Sequence, residues 1–327
     1  MFATLTNIYA FAPAWITLPY FLIGIITIWT FLGPVLYQSY VLKEQDFKQK
    51  YNAKWALVTG GSSGIGEQIA RRLAKQGINV VIAALDNNLL HETVADLKAK
   101  YPDLQFRAVG VDLSSKDFMD KLIDATKDVE INLLFNNAGY ITTGFFAHTA
   151  LEKTIANYNV NSTCTIKITH HYLNLMLQRK QKGLIEFTSS SGGFIPGAMT
   201  GIYSATKAFI TNFGASLAAE TYEHEIDILV VNPSPIASNF FANAGGMAVL
   251  QLVKKTAQPP IVIADTIFRC AGRTTVVDQG LYSVIIRIFL KILDWNVFAD
   301  IMATSVSTTG DYKNLQKKVL EAQQKTQ

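Results

Sequence analysis

The sequence predicts an α/β fold, a Rossmann-like doubly wound parallel sheet, with a transmembrane helix before it and an amphipathic extension after it. Three observations indicate this fold. Short apolar runs alternate with amphipathic stretches of helical length, a glycine-rich turn follows the first run, and an uncharged apolar segment opens the chain. Such alternation is typical of parallel sheets with helices on both faces. The runs that we interpret as strands are 55–59, 80–84, 106–111, 131–135, 184–188 and 228–231.

Length and composition limit the number of domains and the classes of partner. The chain has 327 residues, 49% hydrophobic and 17% charged, which predicts one large core and one main domain. The net charge of +4 is spread out, with no basic cluster interleaved with aromatic residues, so nucleic acid is not an expected partner. Two cysteines without C-x-x-C spacing and five scattered histidines predict neither a disulfide framework nor a metal site.

The N-terminal segment predicts a membrane anchor. No charged side chain occurs in residues 1–42, and residues 16–36 are long enough to cross about 30 Å of hydrocarbon as a helix. Four lysines from Lys43 to Lys54, against two acidic residues, predict that the following domain is cytoplasmic. In a eukaryotic cell the expected membrane is that of the endoplasmic reticulum. A cleaved signal peptide is the competing interpretation, but the segment lacks a basic start and a small-x-small cleavage site.

A glycine-rich turn follows the first predicted strand. The run that ends at Thr59 leads into Gly-Gly-Ser-Ser-Gly-Ile-Gly, and apolar residues then recur at helical spacing. Such glycines permit a tight turn and close approach of the backbone, so that a helix N-terminus can face a pyrophosphate. The segment therefore predicts a dinucleotide-binding βα unit. Its candidate cofactor-binding residues are Gly60, Ser62, Ser63, Gly64, Ile65 and Gly66.

A serine, a tyrosine and a lysine form the candidate catalytic group. Tyr203 and Lys207 are four residues apart, so a helix places them on one face with the ammonium near the phenol. A nearby cation lowers the pKa of a tyrosine. With the Ser190 hydroxyl brought in from the end of a strand, the group can exchange a proton with a carbonyl or alcohol oxygen. This is the acid–base chemistry of carbonyl reduction. An ordinary tyrosine and lysine on a surface helix is the alternative.

Six motifs follow one another between residues 54 and 280. They are Thr59-Gly-Gly-Ser-Ser-Gly-Ile-Gly66, Val111-Asp112-Leu113, Asn136-Asn-Ala-Gly139, Val160-Asn161, Ser190 and Tyr203-x-x-x-Lys207. In order and spacing they resemble the short-chain dehydrogenase/reductase family of the classical type. The resemblance implies that Tyr203 is the acid–base residue and that Ser190 positions the substrate oxygen. It also implies that Lys207 lowers the Tyr203 pKa and holds the ribose, and that Asn161 keeps a proton-relay water.

The same resemblance implies further cofactor contacts. Asp112 is expected at the adenine and Asn137 at the nearby ribose, whereas Asn136 is expected to tie strands together. After the sixth predicted strand, Ile236 and Ser238 are expected to contact the cofactor, with the Ser238 hydroxyl on the carboxamide.

Some positions depart from the family's patterns. An NAD enzyme of the family carries an acid at the end of the second strand, where this chain has Ala84. An NADP enzyme usually carries a basic residue at one of two positions, which are Leu85 and Ser63 here. The missing acid removes the main obstacle to a 2′-phosphate, so NADP(H) is favoured and NAD(H) stays open as the alternative. Ser234 stands where the family often has glycine, which is expected to alter the local backbone.

Two segments near the C-terminus predict contact with apolar molecules. Residues 239–260 are apolar and contain glycine, which is typical of a mobile lid over a lipophilic substrate; a packed helix pair is the alternative. Residues 284–303 predict one amphipathic helix, on which Arg287, Lys291 and Asp294 form a narrow polar stripe. We expect this helix to lie on the cytoplasmic leaflet, because a second span would bury those charges. A helix that closes the domain or a dimer contact is the alternative.

These interpretations combine into one expected organisation. Residues 1–42 are expected to be a membrane anchor, 43–53 a linker, 54–283 the NAD(P)-binding domain and 284–327 the extension. The layout is closest to the membrane-anchored microsomal 3-oxoacyl-CoA reductase and 17β-hydroxysteroid dehydrogenase branch of the family. The resemblance implies an NAD(P)(H)-dependent oxidoreductase that reduces a ketone, or oxidises a secondary alcohol, on a lipophilic substrate. A 3-oxoacyl-CoA or a steroid-like ketone is the expected substrate.

Two alternatives stay open. A 3-ketosphinganine-type reductase shares much of this layout, and the fold could also serve a non-catalytic, cofactor-binding subunit of a membrane complex. A subunit of that kind does not need the four candidate catalytic residues together, so their joint presence favours an enzyme. Membrane lipid and, if the chain forms a homo-oligomer, further copies of itself are the other expected partners.

Overall fold

The computed structural model describes residues 14–238, 240 and 247–324. These residues divide into two compact units, one that ends at Lys43 and one that begins at Glu44. The first unit is helical, and the second contains the sheet.

The first unit consists of helix α1, Ala14–Leu36, and a π-helical turn, Tyr37–Val41. The stretch Thr17–Val41 has 25 residues and is long and apolar enough to cross a membrane. At 1.5 Å per residue, a helix of this length extends about 37 Å. Its large apolar side chains are exposed, among them Phe21 and Trp29. These properties fit the predicted single-pass anchor, and a signal sequence shares them.

A seven-stranded sheet organises the second unit, and every strand is parallel to its neighbours. Its order, β3-β2-β1-β4-β5-β6-β7, confirms the predicted doubly wound, Rossmann-like fold. Strands β1, β4 and β5 are buried along their whole length, as expected where helices cover both faces of a sheet. The strands are β1 Trp55–Thr59, β2 Asn79–Ala84, β3 Phe106–Gly110, β4 Ile131–Asn136, β5 Gly183–Thr188, β6 Ile226–Pro233 and β7 Val276–Gln279.

Strand β7 is absent from the strands predicted from the sequence. It has only four residues, Val-Val-Asp-Gln, of which alternate ones are buried. It lies at the edge of the sheet, with Val277 opposite Val231 of β6. Because an edge strand is only partly buried, it needs few apolar residues, and four residues with two valines do not form a recognisable apolar run.

Helices accompany the strands along the chain. Those up to the sixth strand are α2 Phe47–Lys50, α3 Gly64–Lys75, α4 Asn88–Lys100, α5 Phe118–Thr126, α6 Leu151–Tyr158, α7 Cys164–Gln178 and α8 Gly201–Thr221. Those nearer the C-terminus are α9 Ala248–Lys255, α10 Ile261–Cys270, α11 Leu281–Ile292, α12 Trp295–Ser305 and α13 Gly310–Gln324. Helix α8 packs on β5 and β6, and its Phe213 ring meets the Phe187 ring of β5 edge to face.

The order of the strands reverses between β1 and β4. The chain moves outward from β1 to β3 and then returns, so that β4 pairs with the other edge of β1. In open parallel sheets, the carboxyl ends of the strands at such a point form a crevice in which ligands bind. The glycine turn after Thr59 and the loop after Asn136 both lie at this crevice.

The C-terminal extension is not the single helix that the sequence predicts over residues 284–303. Helix α11 ends at Ile292, Leu293 is extended with ψ of 121°, and α12 begins at Trp295. Asp294 separates the two helices, because its carboxylate accepts a hydrogen bond from the N–H of Asn296 at 2.9 Å as the N-cap of α12.

Two of the three residues of the predicted polar stripe, Arg287 and Lys291, lie on α11 and are exposed, whereas the third, Asp294, lies beyond the end of that helix. Arg287 donates to Asp278 of β7 at 2.9 Å and lies over the Phe194 ring, 4.8 Å from its centroid. This charge therefore holds α11 on the edge of the sheet, and Asp294 belongs to the next helix. Beside these charges, α11 carries an exposed apolar stripe, whose large side chains are Leu281, Ile285, Phe289 and Ile292.

Ser234 connects the loop after β6 to α11. Its hydroxyl accepts a hydrogen bond at 3.0 Å from the N–H of Ser283, in the first turn of the helix. The N-cap of α11 is Gly280, which has no side chain that could accept this bond. Because Ser283 is fully buried, water cannot replace Ser234 as the partner of this N–H.

We expect Ser234→Ala to lower the free energy of unfolding by about 1 kcal/mol, because the buried N–H of Ser283 loses its acceptor. Thermal unfolding of the detergent-solubilised protein measures this as a decrease in Tm of about 2 °C. Ser216→Ala, which removes an exposed hydroxyl of α8, is the control. Equal melting temperatures for the two variants would contradict this role of Ser234.

Candidate active site

A cavity of about 900 Å³ opens at the carboxyl ends of β1, β4 and β5. It brings together most of the predicted site residues, although they are spread widely along the chain. Gly66 and Asn161 do not belong to its lining. The predicted residues that line it are Gly60, Ser62, Ser63, Gly64, Ile65, Asp112, Asn137, Ser190, Tyr203, Lys207, Ile236 and Ser238.

The glycine turn between β1 and α3 forms one end of the cavity. Gly60 and Gly64 have φ of +64° and +58°, a backbone region that favours glycine. At Gly66, a side chain would overlap the carbonyl oxygen of Gly60 and lie 2.6 Å from Nδ2 of Asn137. Gly66 therefore allows α3 to pack against the turn, and the N-terminus of α3 opens into the cavity.

Ser190 is the serine, among three in a row, that interacts with Tyr203. It is the N-cap of a short 3-10 turn, Ser191–Gly193, and its hydroxyl accepts from the N–H of Gly192 at 3.0 Å. A hydrogen bond between Ser190 and Tyr203 lowers the Tyr203 pKa. The Ser189 hydroxyl instead donates to the Lys207 carbonyl at 2.7 Å, so it supports the backbone of α8.

Tyr203 and Lys207 lie on α8 and are both buried, with 7% and 4% of their surface exposed. The Lys207 ammonium donates to the Thr188 carbonyl at 2.7 Å and lies 6.0 Å from the centroid of the Tyr203 ring. Sequence reasoning missed Thr188, whose contact is made by its backbone. Its place at the end of β5, two residues before Ser190, is the signal that could have found it.

Burial raises the pKa of Tyr203 to about 12, and the hydrogen bond with Ser190 opposes the increase. The ionised phenolate loses more from desolvation than it gains from this bond. Burial also lowers the pKa of the Lys207 ammonium. In this structure, the group that lowers the Tyr203 pKa is thus the Ser190 hydroxyl, whereas the sequence assigns this effect to Lys207.

Asn161 lies in a π-helical turn, Asn159–Thr163, between α6 and α7. Its Oδ1 accepts from the N–H of Tyr140 at 3.0 Å, and its Nδ2 donates to the Tyr140 carbonyl at 3.0 Å. The side chain therefore holds the loop after β4 beside the cavity. Its predicted role with a proton-relay water stays a prediction.

Of the two asparagines at the end of β4, Asn137 has the structural role that the sequence assigns to Asn136. The amide of Asn136 donates to Thr169 of α7 at 3.0 Å, so it connects a strand to a helix. Asn137 ties the strands, because its Nδ2 donates to the Thr59 carbonyl at 3.0 Å and its N–H donates to the Thr59 hydroxyl at 3.0 Å. Both asparagines follow the same apolar run, so the sequence alone does not distinguish their directions.

The end of β2 carries no carboxylate that faces the cavity, within the described part of the chain. The strand ends at Ala84, as predicted, and Ala84 and Leu85 line the cavity. Asp86 lies 2.7 Å from Nε2 of His91 and packs over Gly110, away from the lining. Among the described lining residues, Lys207 is the one lysine or arginine.

The loop after β6 crosses the glycine turn. A side chain at Gly64 would lie 3.2 Å from Cβ of Ser238. Ile236 is fixed by a bridge to Gln258, and the Ser238 hydroxyl accepts from the N–H of Phe240 at 3.4 Å. The loop therefore brings Ser238 to the side of the cavity on which the glycine turn lies.

The other end of the cavity is apolar. The Phe240 ring lies 5.5 Å from the Tyr203 ring, measured between centroids. Further apolar residues of this wall are Met247, Leu250, Val253, Met302 and Val306.

Asp311 of α13 caps the start of α9, one of the helices that form this wall. Its carboxylate accepts from the N–H of Ala248 at 2.6 Å and of Val249 at 2.9 Å.

The predicted lid over residues 239–260 coincides in part with this wall. Asn239 and residues 241–246 lie outside the described residues. The remainder contains Phe240 and helix α9, none of whose residues is fully buried. The mobility of the segment stays a prediction.

Comparison with known proteins identifies the family. The sequence model of the short chain dehydrogenase family matches residues 54–247. The very-long-chain 3-oxoacyl-CoA reductase of Mus musculus is 31% identical over 276 residues, 81% of this chain and 84% of the mouse protein. The 7beta-hydroxysteroid dehydrogenase of Mediterraneibacter gnavus is 29% identical over 234 residues, 71% of this chain and 88% of that protein.

Solved structures share the fold. One from a study of 7beta-hydroxysteroid dehydrogenase stereoselectivity has a TM-score of 0.71 at 23% identity and covers 80% of this chain and all of its own. The short-chain dehydrogenase from Sphingobium yanoikuyae in complex with NADPH has a TM-score of 0.65 at 25% identity and covers 76% of this chain and 96% of its own. The fold is one that binds a nicotinamide cofactor. The chain therefore belongs to the short-chain dehydrogenase family and is an oxidoreductase.

Proposed function

We propose that this protein is a membrane-anchored oxidoreductase that uses NADPH to reduce a ketone on a lipophilic substrate, with a long-chain 3-oxoacyl-CoA as the first candidate. The observation that carries the proposal is the position of Ser190 and Tyr203 between the glycine turn and the apolar wall of one cavity. A ketone held at these hydroxyls would have its apolar chain along that wall. The 3-oxoacyl-CoA reductases and the hydroxysteroid dehydrogenase among the relatives support this substrate class.

The residues present fit a nicotinamide cofactor. A side chain at Gly60 would lie 3.0 Å from the Ala138 backbone, so glycine lets the turn pack closely on the loop after β4. Gly60 and Gly64 also line the cavity, where they present backbone and no side chain to a ligand. The turn and the N-terminus of α3 would hold the diphosphate. Ser238 would hold the carboxamide, Asp112 would meet the adenine, and Lys207 would hold the nicotinamide ribose. When bound, the cofactor supplies a hydride to the carbonyl carbon.

The side chains of this chain supply the proton. Ser190 donates a hydrogen bond to the ketone oxygen, and Tyr203 transfers its proton to that oxygen as the carbon accepts the hydride. The product is a secondary alcohol, which has gained one hydride and one proton. The high pKa of Tyr203 keeps the phenol protonated near neutral pH, which suits a proton donor in the direction of reduction.

NADPH is the proposed cofactor because no carboxylate at the end of β2 faces the cavity. A carboxylate there would bind the ribose hydroxyls of NADH and repel a 2′-phosphate. With Ala84 at this position and Asp86 directed toward His91, the hydroxyls of Ser62 and Ser63 would face the phosphate.

Two features support a place at a membrane. Helix α1 is long and apolar enough to be a single-pass anchor, with the catalytic domain on the cytoplasmic side and, in a eukaryote, at the endoplasmic reticulum. Helix α11 exposes an apolar stripe in which Ile285 is 54% and Ile292 is 83% exposed. We propose that this stripe lies in the cytoplasmic leaflet, which would let a lipophilic ketone reach the apolar end of the cavity.

The proposed function predicts that a long-chain 3-oxoacyl-CoA supports NADPH oxidation. The rate is compared with the rates that 3-ketosphinganine and a 17-ketosteroid support in separate assays. Tyr203→Phe should abolish turnover while NADPH still binds, because the phenol supplies the proton and other groups hold the cofactor. Lys207→Ala should lower turnover and also weaken NADPH binding. Activity that survives Tyr203→Phe would mean that the proton donor is another group. NADPH binding without turnover of any ketone would favour the non-catalytic subunit.

For the cofactor, we expect Ala84→Asp to lower kcat/KM for NADPH about tenfold or more relative to NADH, because the new carboxylate lies near a 2′-phosphate. The ratio of kcat/KM for the two cofactors is the measurement. Ala84→Ser, which adds a polar group without charge, is the control. If Ala84→Asp left this ratio unchanged, the adenosine ribose would not bind beside residue 84.

The membrane proposal predicts that the unit from Glu44 onward floats with liposomes and that Phe289→Glu plus Ile292→Glu releases it. Buried glutamates lose their hydration, so the stripe can no longer enter the leaflet. The control is Ile123→Glu plus Tyr222→Glu, which adds the same charge at exposed positions of α5 and of the end of α8. Flotation that is absent from the start, or equal in both double variants, would assign α11 to packing.

A further inference from the structure

Glu186 is a buried acid beneath the active site to which the reaction described above assigns no role. It lies in the middle of β5, opposite Phe135 of β4 and Leu229 of β6, and none of its surface is exposed. An isolated carboxylate at such a place is strongly unfavourable, because apolar neighbours do not replace its hydration. A buried acid in a central strand therefore requires a specific partner.

Thr188 connects Glu186 to Lys207. The Thr188 hydroxyl donates to the two carboxylate oxygens of Glu186 at 3.0 and 3.3 Å. The carbonyl of the same residue accepts from the Lys207 ammonium at 2.7 Å. One residue at the end of β5 thus contacts the carboxylate with its side chain and the ammonium with its backbone.

Strand geometry explains why this connection is local. Glu186 and Thr188 are two residues apart, so they lie on one face of β5, whereas Phe187 lies on the other face and packs on α8. Ser190 is two residues after Thr188. Thr188 therefore links the Glu186 carboxylate to Lys207 through its carbonyl and to Ser190 through the backbone.

The Thr188 hydroxyl also has a second acceptor within reach. Oδ1 of Asn137 lies 3.4 Å from it, and the Asn137 amide holds the Thr59 carbonyl. A hydroxyl has a single proton to donate. An ionised Glu186 is the stronger acceptor of that proton, because hydrogen bonds to a charged oxygen are stronger than those to an amide oxygen.

The charge of Lys207 depends on few neighbours. Among the described residues, the groups that act on it are Glu186 of β5 and the Cys164 thiol of α7, and both raise its pKa. Burial raises the pKa of Cys164 to about 12, so the thiol is neutral near pH 7, and the Tyr203 phenol beside Lys207 on α8 is neutral as well. Burial opposes the charge on both Glu186 and Lys207, and each of the two favours the charge of the other.

We infer that Glu186 is a positioning residue, whose carboxylate keeps the buried Lys207 protonated and orients Thr188 beneath it. Glu186 does not touch substrate or cofactor; it acts through Lys207 and Thr188. The inference rests on the proposed role of Lys207 in holding the ribose.

The test is the pH dependence of NADPH binding to the full-length protein, followed by tryptophan fluorescence, in wild type and Glu186→Gln. Glutamine keeps the size of the side chain and an oxygen for Thr188 but removes the charge. Without that charge the pKa of Lys207 is lower, so Lys207 loses its proton at a lower pH than in the wild type. We expect the alkaline decrease in affinity, and the matching limb of kcat/KM, to move down by about one pH unit. Near pH 6, the two proteins should bind NADPH alike.

Two further variants separate this role from packing. Asp227→Asn removes a carboxylate of β6 that serves Tyr51 and Lys50, outside the active site, and should leave the pH profile in place. Thr188→Val removes the hydroxyl that links the pair while keeping its carbonyl, and it should move the limb in the direction of Glu186→Gln. It also provides the test if Glu186→Gln does not fold.

The outcomes are distinct. A binding curve that is weaker by the same factor at every pH, or one that does not move in Glu186→Gln and in Thr188→Val, would overturn the inference. Because NADPH binding is the first readout, a failure to reduce any ketone would count against the proposed function and leave this test intact.

Discussion

In a fully parallel sheet, the carboxyl ends of all strands lie at one edge, and the active site of this protein depends on that constraint. The glycine turn continues β1, Asn137 follows β4, and Ser190 follows β5 by two residues. Residues that are more than a hundred positions apart become neighbours because each of them lies just after the end of a strand. Helix α8 then packs on β5 and β6 and brings Tyr203 and Lys207 to the same edge.

The polar groups of the site are held by backbone atoms as well as by one another. Lys207 donates to the Thr188 carbonyl, Asn161 pairs with the backbone of Tyr140, and Asn137 bonds to the backbone and hydroxyl of Thr59. Buried polar groups require such partners, and backbone partners move little because the sheet fixes them. The same burial raises the pKa of the Tyr203 phenol, so the phenol stays protonated near neutral pH.

The C-terminal part of the chain completes the apolar side of the cavity. Arg287 pairs with Asp278 at the sheet edge, Ser234 accepts from the first turn of α11, and Asp311 caps α9. These polar ties hold helices whose apolar residues are divided between the cavity and the surface. On α11, the ties face the sheet and the apolar stripe faces outward, an arrangement that leaves the stripe exposed.

The sequence by itself determined the features that local physical chemistry controls. Apolar runs, glycines that allow positive φ and a Tyr–Lys spacing of one helical turn each depend on a few consecutive residues, and they predicted the sheet, the turn at Gly60 and the pairing on α8. Only the tertiary structure decided which of two adjacent asparagines ties the strands, that Arg287 pairs with Asp278, and that four residues of modest hydrophobicity form β7. It alone showed that Thr188 contacts both Glu186 and Lys207. In each of these cases the outcome depends on burial, side-chain direction and charge pairing, which are properties of the assembled fold and not of a few consecutive residues.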